Sequence, residues 1–505
     1  MPFALELLLA AALGALHSLP FVWTWAWPLQ LMIVALLAWR VAAATPWRSA
    51  AFGLAFGTAW LGAGTWWLFI SMHRYGGLPA WLTVLAIMLL CAALSLYLAA
   101  AMAAFVRWRS GRAALDAVLF AALWLLAELA RGIIFTGFPW VASGYAHVDG
   151  PLAALAPWLG VYGLGCVGAG LAAWVGLSAH KGWRPVRLPL AATFAVLVGV
   201  AFAGPGQFSR PGSTLRVTLL QSNVAQDEKF AVELIPKALD WARTQLLAAQ
   251  GDLVVAPETI IPLLPAQLAP GYLDGLLQHF QQGRRSALIG LPLGNEAIGY
   301  TNSAAGISSG TKALPEGFYR YDKHHLVPFG EFIPDGFKWF TRMMNIPLGD
   351  FNRGPLVAPS FAVGTERVAA NICYEDLFGE DLAARFTDTA SAPTIFANIS
   401  NIGWFGQTIA VEQHLNISRM RALEFQRPML RATNTGATVV IDHTGRVTHR
   451  IAPFTQGVLD AEVQGRHGMT PFARWASLSG LWPAALLALG VVVGFVLRRR
   501  VRGAT

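Results

Sequence analysis

Runs of apolar residues near 3–19, 22–39, 50–72, 79–106, 113–131, 151–179 and 188–203 follow one another with only short polar breaks, and an eighth lies near 478–497. Hydrocarbon offers no partner to a peptide N–H or C=O, so a segment that crosses it must be helical. A crossing takes about 20 such residues. The pattern therefore predicts a multi-pass α-helical membrane domain over 1–203 with about seven transmembrane helices, and one more helix near the C-terminus. A content of 55% hydrophobic and 13% charged residues excludes an ordinary soluble protein. Glu6, Asp116 and Glu128 fall inside these runs and have to be paired or held at an interface. The first run has neither a basic start nor a small-residue cleavage site, so it is expected to stay as a helix rather than leave as a signal peptide.

Orientation follows from the breaks. One alternate set holds Arg40 and Arg48, then Arg107, Arg109 and Arg112, then Lys181, Arg184 and Arg187, then Arg498, Arg499, Arg500 and Arg502. The other set holds only Arg74 and Arg131. Short loops rich in Lys and Arg stay in the cytoplasm, which puts the region between the seventh and eighth runs on the opposite side and makes 498–505 a cytoplasmic basic tail. The net charge of +9 is thereby explained by topology and by affinity for anionic headgroups, and no nucleic-acid partner is expected. Trp23, Trp25, Trp27 and the pair Trp66-Trp67 suit an interfacial belt. Gly160, Gly163, Gly165, Gly168 and Gly170 suit close helix packing.

After a Pro/Gly-rich linker at 204–214, the apolar runs shorten to strand and helix length. Strands are predicted at 215–220, 252–256, 286–291, 304–308, 362–373, 393–397, 437–442 and 458–461, with helices over 231–250 and 411–427. Such alternation over 215–469 makes an α/β domain. Of the three cysteines, Cys91 and Cys166 lie in apolar runs, and only Cys373 falls in this domain. It ends the run Val368-Ala-Ala-Asn-Ile-Cys373 and is followed at once by Tyr374-Glu375-Asp376. A cysteine there is either a small buried hydrophobe or a nucleophile at a strand mouth.

Two further positions give the second reading a chemistry. A thiol with an ordinary pKa near 8.5 is mostly protonated at neutral pH and needs a base. Glu258, after the strand-like 252–256, is a candidate base, the alternative being a turn residue. Acyl transfer passes through an oxyanion that an ammonium such as Lys323 and a backbone N–H can stabilise. Glu331 stands near enough in sequence to orient that lysine. Separations of 65 and 50 residues permit such a cluster without specifying it. His324-His325 lacks further ligands at metal-binding spacing, so no metal is expected there.

Ala256-Pro-Glu-Thr259, Tyr321-Asp-Lys-His-His-Leu-Val-Pro-Phe-Gly-Glu331 and Asn371-Ile-Cys-Tyr-Glu375 occur in order, with Tyr300-Thr-Asn302, Asn398-Ile-Ser-Asn401 and Gly403-Trp-Phe405 in support. With seven spans before them and one after, these motifs make the chain resemble, over nearly its whole length, the bacterial apolipoprotein N-acyltransferases. Those are membrane-embedded members of the carbon-nitrogen hydrolase (nitrilase) superfamily. The resemblance implies an αββα nitrilase-like sandwich inserted before the last transmembrane helix, and a Glu-Lys-Cys triad of Glu258, Lys323 and Cys373. It also implies supporting roles for Glu331, Tyr374 and Glu375. One departure stands out: where relatives often carry tryptophan after a lysine near the first strand, this chain has Lys229-Phe230.

The implied reaction has two steps and needs no metal or diffusible cofactor. Cys373 takes an acyl chain from a phospholipid, with phosphatidylethanolamine the expected donor. The thioester then passes it to the α-amino group of the N-terminal diacylglyceryl-cysteine of an apolipoprotein, at the periplasmic face of the bacterial inner membrane. A lid over 345–353 or 401–407 is expected to keep water out. The competing reading is a membrane-tethered nitrilase or amidase that uses the same triad with water on a small or lipid amide.

Overall fold

The computed structural model describes residues 2–333 and 350–503, which divide into two compact units. The first contains α1 (Phe3–His17), α2 (Trp27–Ala42), α3 (Pro46–Gly64), α4 (Ala80–Trp108), α5 (Ala113–Ile133), α6 (Ala156–Ser178), α7 (Trp183–Ala203) and the C-terminal helix Trp482–Gly503. Among the described residues, six helices are long and apolar enough to cross a membrane, or up to seven if Pro471–Ser479 and Trp482–Val501 count as one broken span. The glycine- and alanine-rich α3 lies outside that set.

The acidic residues inside these helices all have partners. Glu6 sits 2.6 Å from Arg40 and 2.7 Å from Arg48, and Asp116 accepts the N–H groups of Ser110 at 2.6 Å and Gly111 at 2.9 Å. Glu128 accepts both the N–H and the hydroxyl of Ser143 at 2.7 Å, with Arg131 3.5 Å away. A charge taken out of water persists only when paired and hydrogen-bonded in this way. Gly165 makes room for the arrangement, because a Cβ there would lie 2.2 Å from the Ser143 Oγ and 2.8 Å from the Glu128 Oε2. Trp23, Trp25 and Trp66 are exposed, as an interfacial belt requires, whereas Trp67 is buried against Trp140.

The second unit comprises Ile70–Leu78 and Gln207–Leu478. One six-stranded sheet has the order β12-β1-β2-β3-β4-β5, made of β1 (Ser209–Gln221), β2 (Leu253–Val255), β3 (Ser286–Asn295), β4 (Gly299–Ile307), β5 (Tyr319–Asp322) and β12 (Gly457–Gly468). The other has the order β11-β10-β9-β8-β7-β6, made of β6 (Phe361–Val363), β7 (Glu366–Ile372), β8 (Ile395–Ser400), β9 (Met429–Thr433), β10 (Val439–Ile441) and β11 (Val447–Arg450). In both sheets the central strands run parallel, β1 with β2 and β3, and β7 with β8 and β9.

Alternate residues explain the layering. Val217, Leu219, Val255 and Leu288 meet Val368, Ala370, Ile399 and Leu430 between the sheets. Val254 and Ile289 turn outward to α8 (Ile235–Ala248) and α9 (Tyr272–Gln282) through Leu246, Leu276 and Phe280. Ala369, Phe396 and Met429 turn to α10 (Ala410–Phe425) through Leu415, Ala422 and Phe425. The result is an αββα sandwich, whose central strands are apolar on both faces because both faces are covered.

Three details differ from the sequence expectation. The predicted strand over 362–373 is two antiparallel strands, since Gly364 takes a φ of 59° and turns the chain between β6 and β7. β1 begins at Ser209, inside the expected linker, because Ser209 to Pro211 pair with β12 up to Gly468. The strands β5, β9 and β11 were not predicted at all; β11 lies at a sheet edge and is largely exposed.

Candidate active site

Because the central strands are parallel, their C-terminal ends open at one mouth, where α/β proteins place ligands. Glu258 follows β2, Lys323 follows β5, Cys373 follows β7 and Asn401 follows β8. Asn302 lies near the start of β4, which pairs antiparallel with β3 and so reaches the same end.

These side chains meet. The Lys323 ammonium lies 2.8 Å from the Glu331 Oε2 and 2.9 Å from its Oε1, and 3.7 Å from the Glu258 Oε1. Asn302 Nδ2 donates to Glu258 at 2.7 Å and to Glu331 at 2.8 Å, holding two carboxylates side by side. The other Glu258 oxygen accepts the Asn401 N–H at 2.8 Å. Glu331 closes its own loop by accepting the Val327 N–H at 2.9 Å. Glu258, Lys323 and Glu331 are all buried, while Cys373 keeps partial exposure.

Burial works against the Lys323 charge, yet the carboxylates of Glu331 and Glu258 outweigh it and hold the ammonium well above the usual lysine range. Burial and the Glu258 carboxylate push the Cys373 thiol up to about 12, with Lys323 acting in the opposite sense. A thiol so placed is neutral at rest and becomes a nucleophile only as a base takes its proton.

The backbone is strained at both ends of this arrangement. Cys373 has φ 52° and Thr259, next to Glu258, has φ 45°, the left-handed region that side-chain-bearing residues seldom adopt. Gly290 on β3 lets the Glu258 loop approach, since a Cβ there would lie 2.4 Å from the Pro257 oxygen.

Glu375 ties the loops together. Its Oε2 accepts the Ile372 N–H at 2.6 Å and the Tyr321 hydroxyl at 2.7 Å, and its Oε1 accepts the N–H groups of His324 at 2.7 Å and His325 at 3.2 Å. Tyr374 is buried against Phe378 and His325, with ring centroids 5.2 Å and 5.8 Å apart. Lys229 is also buried, donating to the Glu258 backbone oxygen at 3.0 Å; burial lowers its pKa to about 8 against the attraction of Glu258 and Cys373. Of the segments expected as a lid, 345–349 lie outside the described residues. In the other, Asn401, Ile402 and Gly403 are buried. Asn401 donates to Gln226 at 2.8 Å and accepts from Asn434 at 3.0 Å.

The sequence reading singled out Glu258, Lys323, Cys373, Glu331, Tyr374 and Glu375, and the fold gathers all of them at the sheet mouths. Asn302 and Asn401 are not among those candidates, although both stand in the motifs Tyr300-Thr-Asn302 and Asn398-Ile-Ser-Asn401 that support the resemblance.

An αββα sandwich with a thiol, an ammonium and two carboxylates at its strand mouths is the pattern of a carbon-nitrogen hydrolase domain, and residues 216–471 match that family. Residues 13–174 match the family described as apolipoprotein N-acyltransferase N-terminal domain. A protein named apolipoprotein N-acyltransferase from Verminephrobacter eiseniae (strain EF01-2) is 52% identical, covering 94% of this chain and 92% of its own length. One of the same name from Ralstonia nicotianae (strain ATCC BAA-1114 / GMI1000) is 45% identical over 98% and 94%, and one from Bordetella bronchiseptica (strain ATCC BAA-588 / NCTC 13252 / RB50) is 40% identical over 97% and 97%. The chain belongs to the apolipoprotein N-acyltransferase family, and it is a membrane-bound acyltransferase.

Proposed function

We propose that Cys373 carries the acyl chain as a thioester between a phospholipid donor and the α-amino group of a diacylglyceryl-cysteine at the N-terminus of an apolipoprotein. The observation that carries this reading is the buried Glu258–Lys323–Glu331 cluster beside a strained cysteine. Glu258 takes the thiol proton as Cys373 attacks the ester carbonyl, and it returns that proton to the departing lysophospholipid oxygen. Lys323 and a backbone N–H of the nucleophile turn bear the oxyanion. In the second step Glu258 takes a proton from the attacking amine and passes it to the departing sulfur, which restores the thiol.

Phosphatidylethanolamine is the donor in this reading. The catalytic domain, 215–469, faces the periplasm of a bacterial inner membrane crossed by about seven helices before it, α3 counted among them, and one at 478–497, with 498–505 in the cytoplasm. The asymmetry of basic residues between alternate breaks supports that orientation.

Purified protein incubated with acyl-labelled phosphatidylethanolamine should acquire a hydroxylamine-labile label that Cys373→Ala lacks, and a diacylated lipopeptide should discharge it. Wild type that takes up no label sinks the thioester step. Discharge by water as fast as by lipopeptide marks a hydrolase instead.

A further inference from the structure

Behind the nucleophile turn lies a buried polar set that the chemistry above leaves unused. Asp376, His414, Ser418 and Arg431 are all fully buried. His414 and Ser418 stand one turn apart on α10, and Arg431 is on β9. Arg431 Nη2 donates to His414 Nδ1 at 2.8 Å. With Nδ1 accepting, the ring proton is on Nε2. That N–H faces two oxygens: the Asp376 Oδ1 at 2.9 Å and the backbone oxygen of Cys373 at 3.2 Å. Asp376 is satisfied on its other oxygen by the Ser418 hydroxyl and by Arg431 at 3.4 Å. The same Cys373 oxygen accepts a second side-chain donor, Asn398 Nδ2, at 3.2 Å, while Asn398 is itself held by Asn371 at 2.7 Å. Both lone pairs of one backbone carbonyl are thus used by side chains from two different elements.

A trans peptide points its C=O and the following N–H in opposite directions, and no cis peptide occurs among the described residues. Drawing the Cys373 oxygen into the buried layer therefore turns the Tyr374 N–H, in the same peptide plane, away from that layer on the opposite side of the chain. It also holds Cys373 at its φ of 52°, a conformation that the chain abandons unless its surroundings enforce it. We infer that His414, oriented by Arg431 and Asp376, is a positioning residue: with Asn398 it clamps the Cys373 carbonyl and so aims the Tyr374 N–H at the oxyanion of acyl transfer. The inference rests on Cys373 being the nucleophile.

The assay compares two reactions of the same thiol. Loading with the acyl chain of a phospholipid forms an oxyanion, whereas alkylation by iodoacetamide does not. His414→Leu should slow loading by roughly 10- to 100-fold, somewhat less than outright loss of an oxyanion donor, while the alkylation rate of Cys373 stays within about twofold of wild type. His414→Gln keeps a donor near the Nε2 position and should recover most of the loading rate. Asn398→Ala, which removes the second donor, should show the same split and serves in place of the leucine variant if that fails to fold. Loading and alkylation that fall together, leucine and alanine variants that load at the wild-type rate, or a glutamine variant as slow as the leucine one would each overturn the inference. Cys373→Ala separates the two levels: if it still takes up label, the nucleophile assignment has failed, not the clamp.

Discussion

Glu375→Gln exchanges one oxygen of a carboxylate that serves four donors for an NH2 group. The Tyr321 hydroxyl can turn round and accept from that NH2, but the N–H groups of Ile372, His324 and His325 have no such freedom. With the amide oxygen toward His324 and His325, the Ile372 N–H faces another donor. A buried donor left without a partner costs about 1–3 kcal/mol, and each bond that passes from a charged to a neutral acceptor loses roughly 1 kcal/mol more. The total is on the order of 3–5 kcal/mol, or an apparent Tm lower by about 6–20 °C for a domain of this size. Thermal unfolding of the purified enzyme in detergent, at one fixed scan rate, measures it. Glu412→Gln is the control, because its ion pair with Arg450 is more than a third exposed on both sides and should contribute less than about 1 kcal/mol. A Glu375→Gln protein that melts within 2 °C (roughly the control shift) of wild type yet has lost acyl loading would refute the structural account and assign Glu375 to the substrate.

Three other outcomes follow from the charges. Glu258→Gln removes a carboxylate that raises the Cys373 thiol, so iodoacetamide should alkylate Cys373 faster at a given pH, even as acyl loading falls by roughly 10²–10⁴-fold with the base gone. Slower alkylation in that variant would mean that Glu258 favours the thiolate. Lys229 has its pKa lowered to about 8 by burial, so folding is penalised below that pH, where the buried amine must carry charge, and the penalty vanishes as pH rises past the unfolded value. The penalty at pH 7 is roughly 3 kcal/mol, offset by about 1 kcal/mol for the bond to the Glu258 oxygen. Lys229→Met should therefore raise Tm at pH 7 and lose that gain toward pH 10; a gain that grows with pH contradicts the sign. Asn302→Leu leaves Glu258 and Glu331 each one donor short and should cost roughly 1–3 kcal/mol in the same unfolding assay, where no change would show the bridge to be dispensable.

Residue type alone made some of this protein legible. Long apolar runs in lipid admit only helices, so the membrane unit could be read directly, and the pairing of Glu6, Asp116 and Glu128 was demanded before any partner was known. Short runs apolar on both faces announced covered strands, and Cys373 at the end of one was marked by the acidic residues after it. Residue chemistry made Glu258 and Lys323 candidates, and only motif resemblance joined them to Cys373 as a triad. β9 (Met429–Thr433) escaped because Arg431 and Thr433 interrupt its apolar pattern, and Arg431 is tolerated there only because Asp376, Ser418 and His414 meet it from other elements. The division of β6 from β7 turned on one glycine at positive φ.

What the sequence determined by itself was therefore that long apolar segments precede an α/β domain, and which of its side chains offer a thiol, a base and an ammonium. Tertiary structure alone decided that Asn302 bridges two carboxylates, that Glu375 is consumed in holding loops, and that His414 reaches the carbonyl of Cys373. The physical reason is separation along the chain: hydrogen bonds are set at about 3 Å, and the sequence separation of 41 between Cys373 and His414 places no limit on that distance until two sheets and their helices have packed.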